Sequence, residues 1–147
     1  MTTKLKARKA LLEHFRKAPG LKGLKVDYSF VDENPPECIS LMPDISDDEN
    51  EVRTTRGLPS TYNETYAIGV VLIVASKNTI EENEDRADEI LDAMYLSLRS
   101  DPRLGGRVDG LVSAVVGRCD VVSGHVLDEG PMVRADLDIE IEGRIAA

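Results

Sequence analysis

From Val133 to Glu142 the chain alternates strictly. Val133, Ala135, Leu137, Ile139 and Ile141 are apolar, and Arg134, Asp136, Asp138, Glu140 and Glu142 between them are charged. Side chains on a strand point to opposite faces in turn, so this stretch is a strand with one apolar and one charged face. Leu24–Val31 shows the same period through Leu24, Val26, Tyr28 and Phe30, until Pro35-Pro36 breaks it; Cys38–Met42 reads as a short second strand. Glu64–Ala75 differs. Tyr66, Ile68, Val70, Leu72 and Val74 form one apolar face, but Ala67, Val71, Ile73 and Ala75 make the other apolar too. A strand apolar on both faces needs cover on both, and a neighbouring subunit is the expected second cover. Leu111–Arg118 and Val121–Leu127 read as two strands or one bent strand, and Glu129-Gly130-Pro131 as a turn.

Two stretches carry the helical period instead. Thr3–Lys17 places Leu5, Leu12 and Phe15 on one face with Leu11 beside them, and Pro19-Gly20 stops it. Ile80–Ser100 has a buried stripe of Ala87, Ile90, Leu91, Met94 and Leu98. Thr79 with Glu82 predicts a capping box, acids fill the first turns where the helix dipole favours them, and Glu82–Arg86 is an i,i+4 pair. Asp101-Pro102 ends this helix and Gly105-Gly106 turns the chain. Residues 43–63 have little to bury and read as a long acidic loop, with a brief strand at Val52–Arg56. The order helix, strands, helix, strands predicts one α+β domain over residues 1–147: a mostly antiparallel sheet with two helices packed on one face.

Charge changes this picture. The net charge is −9, yet residues 1–25 hold eight Lys or Arg against the single acid Glu13, so the remainder carries a surplus of sixteen negative charges. A basic arm on an acidic body can bind nucleic acid or a membrane, or dock on the acidic body of an identical neighbour. The overall acidity opposes phosphate binding, and the lack of Trp among few aromatics opposes base stacking. The basic start has no apolar core of a signal peptide, and the longest apolar run, Ala67–Ala75, is too short to span a bilayer. A soluble chain made in a cytoplasm is expected, with Cys38 and Cys119 as reduced thiols.

Catalytic and metal patterns are weak. Asp44, Ser46, Asp48 and Glu51 suggest a calcium loop, but Glu49 stands where an EF-hand needs Gly and Thr55 where it needs Glu. Asp136, Asp138, Glu140 and Glu142 lie about 6.6 Å apart in parallel along a strand, so they do not converge on one ion. His14, His125, Cys38 and Cys119 share no chelating spacing. No nucleophile motif, P-loop or dinucleotide fingerprint occurs. No cofactor and no enzymatic activity are expected.

The run Arg86–Met94, continued by Leu98-Arg99-Ser100-Asp101-Pro102-Arg103-Leu104-Gly105-Gly106-Arg107-Val108-Asp109, resembles the tail terminator proteins of long-tailed bacteriophages. There a helix closed by such an element leads to a strand, a turn like Glu129-Gly130-Pro131, and an alternating strand like Val133–Arg144. The resemblance covers most of the chain outside 43–63. It implies a virion protein assembled in the bacterial cytoplasm: a ring, commonly a hexamer, that caps the tail tube, stops its polymerisation and joins it to the head connector, with double-stranded DNA passing through. In that setting Lys4, Lys6, Arg8, Lys9, Tyr66, Ile68, Val70 and Leu72 are the expected subunit interface. Asp47, Asp48, Glu49, Arg53 and Arg56 are the expected contact with tube or connector. Asp136, Asp138, Glu140 and Glu142 are candidates for lining the hole, or form simply a polar outer face. A neck or head-completion ring protein is the nearest alternative, and a small nucleic-acid-binding regulatory domain using the basic arm is one of a different class.

Overall fold

A computed structural model describes residues 3–28, 37–42, 51–54, 61–126 and 130–146. The elements run α1 (Lys4–Lys17), β1 (Lys25–Asp27), β2 (Glu37–Leu41), β3 (Glu51–Thr54), β4 (Thr61–Val74), α2 (Ile80–Ser100), a short 3-10 turn (Leu104–Gly106), β5 (Leu111–Val126) and β6 (Gly130–Ala146). The strands form one six-stranded sheet in the order β1-β2-β4-β6-β5, with β3 also pairing β4. Every pairing is antiparallel except β1 with β2. The α+β class read from the pattern is the class observed.

Both helices lie on one face. Leu11, Leu12 and Phe15 of α1 and Ala87, Ile90, Met94 and Leu98 of α2 pack with Ile68, Val70 and Leu72 of β4 and Val133, Leu137 and Ile139 of β6 in one core. Burying each large aliphatic side chain contributes roughly 1.5–3 kcal/mol, so this layer dominates the stability. α2 starts as its sequence requires: the Thr79 hydroxyl accepts the Glu82 backbone N–H at 3.1 Å. Asn83, wholly buried, ties the helix to β6 by donating to the Pro131 carbonyl at 3.0 Å. The Asp101–Asp109 element inserts Leu104 and Val108 into the core. It does so with left-handed backbone at Leu104, Gly105 and Gly106.

Several expectations need correction. Leu5 is 66% exposed; the buried side of α1 is instead completed by Ala7 and Ala10, with Lys4 and Arg8 also buried. Arg8 is accommodated because it donates to the Met42 carbonyl at 3.1 Å and stacks over the Tyr28 ring. Arg86 does not pair with Glu82. It reaches across to Glu37 of β2 at 3.1 Å and along the helix to Glu89 at 3.0 Å. β4 begins at Thr61 rather than Glu64, and β3 and the start of β4 fall inside the expected 43–63 loop, because they pair with each other. Leu111–Val126 is one strand with two register shifts, at Leu111/Ser113 and Val116/Arg118, and Leu127 lies outside the described residues. Strand β1 is described only from Lys25 to Asp27; Phe30, the Pro35-Pro36 break, residues 43–50 with the calcium-like pattern, and Glu129 lie outside the described residues.

The largest correction concerns Tyr66, Ile68, Val70 and Leu72. They are 4%, 1%, 1% and 0% exposed, beneath the chain's own helices. They are core, and no neighbouring subunit is needed to cover them. The opposite face of β4 divides in two. Val71 and Ile73 are buried in a small second cluster with Cys38, flanked by Met42 and Met132. Ala67 and Gly69 are half-buried.

Candidate assembly surfaces

The outer face of the sheet is a ladder fixed by strand register. Thr65, Glu142 and Ser113 share one rung, Ala67, Glu140 and Val115 the next, then Gly69, Asp138 and Arg118, then Val71, Asp136 and Asp120. Alternation on β6 puts every carboxylate on this face while Leu137, Ile139 and Ile141 face the helices. Arg134 holds Asp136 at 3.1 Å, and Arg118 holds Asp120 at 2.7 Å. Asp138, Glu140 and Glu142 have no ion pair among the described residues. A cleft of about 360 Å³ opens here, lined by Thr65, Ala67, Ser113, Val115, Glu140 and Glu142. Its negative field repels polyanions rather than binding them. The four acids expected to line a hole are thus brought together on one face, Glu140 and Glu142 exposed and Asp136 and Asp138 half-buried.

The expected interface bases are not brought together. Lys6 and Lys9 are exposed on α1, whereas Lys4 and Arg8 point inward. Of the expected tube or connector contacts, Asp47, Asp48, Glu49 and Arg56 lie outside the described residues, and Arg53 is placed only as a backbone position of β3, opposite Asn63.

No catalytic arrangement stands out. His14 Nε2 donates to the Ser97 carbonyl at 2.9 Å, which commits that nitrogen to an N–H. Burial pushes the Cys38 thiol up, and Cys119, beside the Tyr95 hydroxyl, is also raised chiefly by burial, so neither is an activated thiolate. Among the described residues, no three His, Cys, Asp or Glu side chains gather as a metal site requires, and no helix is long and apolar enough to cross a membrane.

Two features were passed over at the level of sequence. The solvent side of α2 carries Glu84, Asp88 and Asp92 at i,i+4 spacing, continued by Leu96, which is 61% exposed. The helical period that predicted the buried stripe also contains this acidic one. Exposed Val112, Val115, Val121 and Val122 lie on the edge strand β5. Those positions read as ordinary strand residues until the sheet order makes β5 an edge.

No protein-family model and no curated protein matches this chain. Among solved structures, it is similar to a chain in a structure described as the virion of a native gene transfer agent particle. The TM-score is 0.57 at 15% identity, and the match covers 93% of each chain.

Proposed function

We propose that this chain is a structural, non-enzymatic virion subunit that forms a ring on a phage-type tail tube, ends tube polymerisation and joins the tail to the head connector. The observation carrying this reading is the likeness, over nearly the whole of both chains, to a component of a virus-like particle. The tail-terminator resemblance of the Leu98–Asp109 element supports the finer assignment. The element is structurally apt: it seats Leu104 and Val108 in the core between helix and sheet. Asp138, Glu140 and Glu142 line the hole in this reading, keeping DNA from adhering as it passes. Residues 43–63, with Asp47, Asp48, Glu49, Arg53 and Arg56, contact the tube or connector. The regulatory nucleic-acid reading is weakened because Arg8, one of the arm's bases, is buried and engaged with Met42 and Tyr28.

Electron microscopy of particles made without this protein tests the proposal. Overlong or headless tails are the expected result. Leaking heads would transfer the chain to a neck or head-completion role, and normal particles would overturn the virion-joint reading.

A further inference from the structure

The sheet ends differently at its two edges. At one, β1 is described over three residues, and Arg16 caps it by donating to the Val26 carbonyl at 3.1 and 2.9 Å. At the other, β5 runs for sixteen residues, and its far side pairs with no strand among the described residues. A long edge strand with an open row of backbone donors and acceptors is a template for another strand. β5 also leaves apolar side chains in water. Val115 and Val122 are exposed on the outer face, opposite Glu140 and Arg134. Val121 lies on the helix face, opposite Ala135, and is exposed as well. On that same face, further back along β5, a cleft of about 200 Å³ opens between strand and helix, lined by Tyr95, Leu98, Arg99, Ala114 and Val116. Cys119 lies between the exposed valine and the cleft.

We infer that the open edge of β5 takes the β5 of a second copy, antiparallel, about a two-fold axis at Cys119. The strand is complementary to itself read in both directions from that residue. Arg118 of each copy meets Asp120 of the other on the outer face. Past them the bulge at Gly117 sets the register: β6 already skips this residue, facing Val116 with Ile139 and Arg118 with Asp138. A second strand that skips it in the same way faces Val116 with Val121 and Val115 with Val122, each pair made twice and each on one face. Val121 of either copy then reaches the cleft beside Val116 of the other. Apolar and opposite-charge cross-strand pairs are those that stabilise a sheet. The Arg118–Asp120 bond within one strand, at 2.7 Å, does not compete strongly, because both side chains are more than half exposed. The helices agree with this axis. α2 starts near the Pro131 end of the β5–β6 pair, where Asn83 is bonded, and ends near Val115 and Val116, where Arg99 lies. Glu84 and Asp88 share the stripe of Tyr95, which faces Cys119 of β5. The two-fold therefore brings Glu84 and Asp88 of one α2 to the side of Arg99 of the other. An isologous contact of this kind closes at two copies. It is a pairing of the free subunit and rests on none of the functional reading above.

The test uses the full-length protein, Arg118→Asp, Asp120→Arg, and an equimolar mixture of the two variants, each measured by light scattering across a concentration series. Circular dichroism checks that the variants keep the fold. Mild oxidation with copper phenanthroline reads the register, because opposed residues of an antiparallel pair have Cβ atoms about 4.5–5.5 Å apart, close to the roughly 3.5–4.5 Å that a disulfide spans. The wild type is expected to pair as concentration rises and to give a disulfide mapped by mass spectrometry to Cys119 of both copies. Each variant alone sets like charges opposite each other twice, and should raise the concentration needed for pairing by roughly tenfold or more. The mixture should recover pairing and the disulfide, because every Asp then faces an Arg. Variants that pair like the wild type, or a mixture that stays apart, would overturn the inference. A wild type that gives no Cys119–Cys119 link would overturn it too, and if that protein still assembled to the mass of a ring, the ring reading would stand without it.

Discussion

The carboxylate of Glu64 accepts two hydrogen bonds from Thr3, one from the backbone N–H and one from the hydroxyl, each at 3.0 Å. The same hydroxyl lies 2.8 Å from the Tyr66 phenol oxygen, and Glu64 is 1% exposed. Thr3 is the N-cap of α1 and offers it no side-chain cap bond. The buried carboxylate of β4 does that work, satisfying a free N–H at the positive end of the helix. Replacing Glu64 with Ala strands buried donors and should cost about 2–3 kcal/mol, read as a lower urea midpoint with an unchanged slope.

Glu37 and Arg86 predict the acid limb of stability. Arg86 donates to both Glu37 oxygens and holds that carboxyl below its ordinary value of 4.5. A lowered folded value means stability that is complete above pH 4.5 and lost as pH falls through the lower value. Glu37→Gln should therefore be less stable than wild type by about 1 kcal/mol at neutral pH. The gap should shrink steadily in acid. A gap independent of pH would show that the pair contributes no linked protons.

Gly110 and Gly106 separate two backbone effects. Both have positive φ, +88° and +70°. A Cβ at Gly110 would collide with the Arg144 carbonyl oxygen, next to the 2.6 Å bond that Arg144 N–H makes to the Gly110 carbonyl. At Gly106 a Cβ would meet nothing within 4 Å. Gly106→Ala should cost about 1 kcal/mol from the left-handed backbone alone. Gly110→Ala should cost more, about 2–3 kcal/mol, because the clash adds to the strain. Thermal melting of the two variants compares them directly.

Leu72→Ala tests whether β4 is core. Leu72 is wholly buried under the chain's own helices, so truncation should destabilise the subunit by about 2–5 kcal/mol. The oligomeric mass of the protein that remains folded should not change. A lower mass at unchanged unfolding midpoint would restore the interface role first expected of this strand.

The two thiols should differ in reactivity. Cys38 is 1% exposed and Cys119 half-buried, and burial raises both above the ordinary thiol value. At pH 8 an alkylating reagent should label Cys119 slowly and Cys38 only when the protein opens. Mass spectrometry of peptides after timed labelling measures the two rates.

The amino-acid order alone was enough for the elements and the class. α2 begins and ends where Thr79, Glu82 and Asp101-Pro102 say it should, and the charged face of β6 was legible from its alternation, because caps and period are local physics. Local physics could not say which cover a doubly apolar strand receives. Tyr66 to Leu72 met the chain's own helices, and Val71 and Ile73 a small cluster around Cys38, because contacts between distant segments decide burial. Nor could it turn Leu5 outward and Arg8 inward, since the partners of Arg8, Met42 and Tyr28, lie just past the ends of β2 and β1, 34 and 20 residues along the chain. Only the sheet order set α1 over β1 and α2 over β5 and β6 on the same face. Side-chain spacing fixes which residues share a stripe, but packing decides which way each stripe points.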